Sequence, residues 1–283
     1  MTTAAEAIQD ATLRANALAL LARMGEVIEG VGDKPIQWHP SMLKLVQATT
    51  NTDTLPSCKP GDFVLSNEVL KTMDVVPLRI WTTRDLWPED LGSDRRLCES
   101  PDGITGWKYG DCRTCQFSQW NEENNKVPCT KSLKFLVIKA DLSDIFLINF
   151  SKTGYRGGMN FEKLVKSTKT HIYRRSYTVE ASRHPENKNV FLTSVSFSAP
   201  GSFTLSPDVE AFLRELFSYS GESRRHQLEA FQAGVERRAT MSLENKSGAT
   251  RIGDDSHRNP GDIVIEGTAE VVEREDASVR YEV

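Results

Sequence analysis

Four cysteines fall in one short stretch of the chain, in the pattern Cys98-x13-Cys112-x2-Cys115-x13-Cys129. A Cys-x-x-Cys turn presents two sulfurs on one side of a tight knuckle, and one thiolate from each flank can close a tetrahedron. Four soft ligands of this kind suit Zn2+. A site whose four positions are all taken by protein has no opening for substrate, so its role is structural. The surrounding stretch, about residues 92–131, is rich in Gly, Asp, Pro and Asn and poor in aliphatic side chains. It has little core of its own, and metal binding would supply the missing folding free energy. An iron–sulfur cluster also takes four cysteines. The plainer readings are free thiols or a redox pair. Cys58 stands apart and reads as a small buried hydrophobe.

Aromatic and basic residues surround the cysteines. Trp81 and Trp87 precede them, and Trp107, Tyr109, Phe117 and Trp120 lie between or beside them. These rings either pack around a metal loop or stack on unpaired bases beside a basic groove. Further on, the run Lys169-Thr-His-Ile-Tyr-Arg-Arg-Ser-Tyr177 interleaves charge and rings. On a strand, Tyr173, Arg175 and Tyr177 share one face and Arg174 takes the other. Facing outward, two rings and a guanidinium line a binding surface. Facing inward, the tyrosines are core and Arg174 is the exposed cation. Lys131 and Lys134 leave the insert, and Lys152, Tyr155 and Arg156 follow a later strand. Each lysine alone is an ordinary surface charge. Between Lys131 and Phe191, however, 12 Lys and Arg stand against 5 Asp and Glu, within a chain of net charge −4. A basic middle is what a phosphate backbone seeks. From Asp254 onward, 3 Arg face 9 acidic residues.

Other chemistries lack their residues. There is no Walker phosphate loop; Gly154-Tyr-Arg-Gly-Gly158 is glycine-rich but lacks the lysine–hydroxyl ending. No His-Glu-x-x-His occurs, the five histidines are scattered, and no carboxylates have the spacing of a nuclease. The expectation is a non-enzymatic binder. No apolar run reaches the roughly 18–20 residues of a membrane span. Glu6 and Asp10 stand where a signal peptide would carry basic residues. These features predict a cytoplasmic protein with reduced thiols.

The elements that must position these residues are read from periodicity. Residues 3–24 read as a helix and 40–50 as a short second one, making 1–60 a helical N-terminal region. Phe63–Leu65 reads as a short strand. Val75–Thr82, Leu133–Ala140, Ile145–Phe150, His171–Ala181 and Asn189–Phe197 read as five longer ones, with a helix from Gly157 to Lys169. A helix between the third and fourth of five strands is the order of an OB barrel. The fold class expected is therefore mixed and mainly β, with 61–205 an OB-like five-stranded domain carrying a four-cysteine zinc insert. The rival is an open α+β sheet. Ser206-Pro-Asp208 is a helix start, and Val209, Phe212, Leu213, Leu216 and Phe217 form an apolar stripe. Amphipathic helix over 206–240 would thus pack on the barrel or form a homodimer seam. Residues 241–283 read as a mobile acidic tail, with small apolar islands at Ile263–Ile265 and Val271–Val272.

The segment Gly106-Trp-Lys-Tyr-Gly-Asp-Cys112-Arg-Thr-Cys115-Gln-Phe-Ser-Gln-Trp120, with Pro128-Cys129 and Phe135-Leu-Val-Ile138, resembles a class of proteins encoded by tailed bacteriophages. Met42-Leu-Lys-Leu-Val-Gln47 and Lys59-Pro-Gly-Asp-Phe63 fit the same group, so the likeness spans roughly residues 35–200. The chain also resembles phage single-stranded DNA-binding proteins that carry zinc within an OB fold. That resemblance implies Cys98, Cys112, Cys115 and Cys129 as zinc ligands. It also implies a basic-aromatic face for DNA and contacts with replication proteins. In such proteins an acidic tail recruits partners. Here the end of the chain is interrupted by Arg274 and Arg280, a departure from that pattern.

Overall fold

The computed structural model describes residues 1–25, 40–50, 58–88, 96–122 and 126–248. Along the chain the elements are α1 (Thr2–Glu6), α2 (Ala11–Gly25), β1 (Ser41–Met42), β2 (Lys44–Leu45), β3 (Phe63–Leu65) and β4 (Glu68–Leu70). They continue with β5 (Thr72–Leu86), β6 (Cys98–Ser100), β7 (Thr105–Gly106), β8 (Gly110–Asp111), β9 (Cys129–Lys139) and β10 (Ile145–Ser151). Last come α3 (Tyr155–Ser167), β11 (Tyr177–Arg183), β12 (Phe191–Phe197) and α4 (Pro207–Gly248). The chain divides at Ala239 into two units. Of the second, only the last turns of α4 are described, so residues 241–248 of the expected tail are helix and the rest of it lies outside the described residues.

Mainly β structure organises the first unit. Seven strands form a mixed sheet in the order β1-β10-β9-β5-β11-β12, with β6 beside β5. β1 runs parallel to β10, and the other pairs are antiparallel. No pairing closes the sheet into a barrel among the described residues. Its long strands alternate apolar side chains between two faces, as a period of two requires. Phe135, Phe146, Ile148, Phe150 and Val179 pack on the inner face with Phe63, Leu65 and the α3 residues Phe161 and Val165. Leu136, Ile138 and Ile145 pack on the outer face with Ala5, Leu20, Phe212 and Leu213 from α1, α2 and α4 and with Ile8 from the link between α1 and α2. The β5–β9 register shifts between Pro77 and Arg79. Proline lacks the N–H a ladder needs, so a bulge is a natural place for it. Beyond the bulge, Arg79 and Trp81 belong to the α4 side.

Several expected elements are corrected. Residues 3–24 are two helices, because the Asp10 carboxylate accepts from the Leu13 N–H at 2.9 Å and starts a new helix there. Residues 40–50 hold β1 and β2 in place of a helix. Leu43 is buried while its neighbours are not, and its N–H donates to the Leu147 carbonyl at 2.8 Å. The strand expected from His171 begins only at Tyr177, after a 3-10 turn over Ile172–Arg174. The helix start at Ser206 holds: its hydroxyl accepts from the Val209 N–H at 3.3 Å. The apolar stripe of α4 is core, buried on the sheet.

Candidate metal centre and nucleic-acid interface

Two of the four cysteines arrive by strand register. The last residue of β5, Leu86, lies opposite Cys98 of β6 on one side and Cys129 of β9 on the other. The β7–β8 hairpin delivers the other two. Its exit is fixed by the Cys112 N–H donating to the Ile104 carbonyl at 2.7 Å. Asp102 nucleates the approach. Its carboxylate accepts from the backbone of Ile104 and Thr105 at 2.8 and 2.9 Å and from the Ser100 hydroxyl at 2.9 Å. Burial acts to raise the Asp102 pKa, but these donors hold it below the ordinary carboxylate value. In the knuckle, the Arg113 guanidinium grips Asp111 at 2.7 Å and draws its pKa down to about 2.

All four cysteines line one cavity of about 10 Å3, the size of a single small ion or water. Cys98, Cys112 and Cys129 are buried, Cys115 is half-buried, and none forms a disulfide. The sulfurs are convergent rather than coordinating: among the described residues, no group of three or more His, Cys, Asp or Glu is placed to hold a metal ion. Register explains the difference. Cys98 and Cys129 are two strand spacings apart, about 10 Å at Cα, so their side chains must turn inward to share an ion. The donor set fits tetrahedral zinc in kind and number.

Two neighbours that sequence reading missed define this cavity. Arg84 lines it, and its charge acts on both Cys112 and Cys129. Burial pushes both thiols up, and Arg84 pulls them back toward the thiolate. A fixed cation is also what a doubly negative zinc–tetrathiolate centre needs beside it. Gly106 is the second. A Cβ there would sit 2.8 Å from the Cys98 sulfur and 3.8 Å from that of Cys112. Arg84 lies outside the segment from Gly106 to Trp120 and Gly106 opens it, but the β5 register and the hairpin alone reveal them as neighbours of the sulfurs.

The aromatic residues divide between packing and exposure. Trp107 and Phe117 pack against Leu86, Cys98 and Cys129, and the Arg238 guanidinium covers Trp107 at 4.6 Å. Tyr109 is 39 % exposed and leans on Phe117 at 4.8 Å. Trp120 is 58 % exposed.

The basic residues do not form one face. Lys131 stands at the start of β9, its ammonium 5.5 Å over the ring of Tyr155. Lys152 and Arg156 flank that ring in sequence and are exposed. Together they make a basic rim at the end of the sheet that carries the cysteines. Lys134 lies on the opposite face of β9, beneath α4. Of the two readings of Tyr173, Arg175 and Tyr177, the outward binding face is not found, and the inward one holds for both tyrosines. Tyr173 is buried in the α4-side core and Tyr177 in the α3-side core. The 3-10 turn breaks strand parity between them, so each ring fills a different layer. Arg174 is bound to Glu210 at 2.5 Å, and Arg175 is exposed, 6.0 Å from the Phe197 ring. Cys58 is buried with Val46 and Val64, as a small hydrophobe.

Comparison with protein families, curated proteins and solved structures finds no match. No described helix is long and apolar enough to cross a membrane.

Proposed function

We propose that the protein is a non-enzymatic single-stranded DNA-binding protein with a structural zinc. On the resemblance above, it would act in phage replication or recombination within the host cytoplasm. The observation that carries the reading is the junction of the cysteine insert with the basic rim. The insert links the first and second long strands, β5 and β9, and Lys131, Tyr155, Lys152 and Arg156 gather where it rejoins the sheet. In OB folds this loop and the neighbouring strands carry oligonucleotides. The strand order supports that comparison: three sequential strands form a meander, α3 follows, and β11 returns beside the first, a Greek key. Phosphates would meet Lys131, Lys152, Arg156 and Arg175, and bases would stack on Tyr155, Tyr109 and Trp120. Zinc on the four cysteines would hold the insert as one wall. A bound ion would supply folding free energy there, Arg84 would offset the net negative charge of the four thiolates, and Gly106 would leave room for the sulfurs.

A second reading has its own observation. Ile104, Tyr109, Trp120 and Val127, all on the insert, are large and exposed. Such residues also serve as anchors for a protein partner such as a replication enzyme. Fluorescence anisotropy with labelled single-stranded and duplex oligonucleotides, before and after chelation, separates the two. Strand binding should favour the single strand and weaken on chelation. Absence of nucleic-acid binding by the metal-loaded protein would leave the docking reading.

A further inference from the structure

A cavity of about 360 Å3 lies between the outer face of β5 and β9 and the part of α4 from Leu216 to Gln227. That volume is in the range of small-molecule sites. Its apolar wall includes Leu78, Leu136 and Leu216. Its charged wall sets Arg79, Arg96, Lys134 and Arg224 against Asp85 and Glu99, which leaves an excess of two positive charges. Trp81 also lines it, with the Arg224 guanidinium 4.9 Å from the indole centroid. Arg224 thereby covers part of the indole as a cation–π contact.

Groups inside are left incomplete. Thr83 is only 4 % exposed, and its hydroxyl finds no hydrogen-bond partner among the described residues. The Oδ1 atom of Asp85 likewise accepts no hydrogen bond, since Arg96 stands 3.2 Å away but off the bonding direction. Burial pushes the Asp85 carboxyl up, opposed by Arg96 and Lys134, and pushes Lys134 and Arg224 down. Buried polar atoms without partners call for an explanation. An apolar wall, one indole, two unmet hydrogen-bonding groups and an excess of two positive charges together describe a partner. It has a planar polar ring and a dianionic group.

We propose that this cavity binds a nucleoside monophosphate, the base lying by Trp81 and the apolar wall and the phosphate meeting Lys134 and Arg96. A phosphomonoester carries about −1.5 to −2 charges at pH 7, matching the excess. Thr83 and Asp85 supply hydrogen bonds to the base or sugar. A free mononucleotide and the phosphorylated end of a strand share this chemistry. The proposal does not depend on strand binding at the rim, because Lys134 and Lys131 lie on opposite faces of β9.

Isothermal titration calorimetry with the four deoxynucleoside 5′-monophosphates and their unphosphorylated nucleosides tests it. At least one monophosphate should bind with 1:1 stoichiometry and at least tenfold tighter than its nucleoside. Lys134→Gln should remove most of that phosphate preference. Thr83→Val, nearly isosteric, should weaken binding several-fold while leaving the melting temperature unchanged or higher. An oligonucleotide bound tenfold tighter with a 5′-phosphate than with a 5′-hydroxyl identifies a strand end as the source. Equal affinities alongside monophosphate binding identify the free nucleotide. Failure of all four monophosphates to bind at millimolar concentration overturns the proposal. So does monophosphate binding that is unchanged in both folded variants. Since the rim is read with end-blocked oligonucleotides, either idea can fail without the other.

Discussion

Gly106 sets the tolerance of the cysteine site. A methyl group at this position would meet the Cys98 sulfur at 2.8 Å, a distance that forces the sulfur to move. Gly106→Ala should therefore lower zinc affinity at least tenfold, as measured by competition with a chromophoric chelator, while Gly154→Ala, which has open space around it and lies outside the insert, should not. Asp102 tests the loop without metal. Its folded pKa is depressed, so the stability it contributes is full above the ordinary value of 3.8 and is lost as pH falls through the lowered one. In metal-free protein, thermal melts between pH 6 and 2.5 should show this loss, and Asp102→Asn should flatten it. A steeper acid loss in the variant would contradict the assignment. The cysteines were legible from spacing alone. Arg84 and Gly106 were not, because their roles come from strand register and sequence-distant hairpin contacts.

At the scale of elements, α3 depends on close approaches at two of its glycines, Gly157 against the Thr193 carbonyl and Gly158 against Phe150. Gly158 lies against Phe150, and a Cβ there would fall 2.6 Å from the Phe150 Cβ. Alanine normally favours a helix over glycine by about 1 kcal/mol. Here overpacking should win, and Gly158→Ala should destabilise by about 1–3 kcal/mol, a drop in Tm of several degrees. An unchanged or raised Tm would show that α3 can move away from the sheet. The long strands and α3 were legible because sustained periods of 2 and 3.6 distinguish them. The segment 40–50 was not: Leu43 and Val46 are spaced like a helical face, yet each is buried through strand contacts and turns. Tyr173 and Tyr177 misled for a related reason. Their separation by four residues puts them on one face only if the backbone stays extended, and the turn over Ile172–Arg174 removes that condition.

Across the whole molecule, the sheet is clad on both faces. Inner-face residues meet α3 and the small β2–β4 sheet, while α1, α2 and α4 cover the outer face. Among the described residues, the ties between the cysteine insert and this body include the β5–β6 and β5–β9 register, the Arg224 side chain, which donates to the Pro101 carbonyl, and Arg238 over Trp107. The insert's satellite core is small, comprising Leu86, Cys98 and Cys129 with Trp107 and Phe117. Chelation should therefore loosen the insert before the sheet. Hydrogen exchange should show protection lost over residues 98–122 while β9 and β10 beyond Phe135 stay protected. Simultaneous loss throughout would mean that metal and main core form one cooperative unit. The succession of long strands with α3 after the third could be anticipated from the sequence, but whether the sheet closes depends on pairing between edge strands that no local pattern encodes.

In the proposed function, the rim of Lys131, Lys152 and Arg156 around Tyr155 would hold a single strand by its phosphates. The most direct measurement is the salt dependence of affinity for an end-blocked single-stranded oligonucleotide, comparing the metal-loaded protein with the triple variant Lys131→Gln, Lys152→Gln, Arg156→Gln. Each phosphate contact on a single strand contributes about −0.7 to the slope of log K against log salt. Binding should weaken with salt, and the slope should be shallower by about 2 in the variant. Salt-independent affinity, or equal slopes for the two folded proteins, would contradict it.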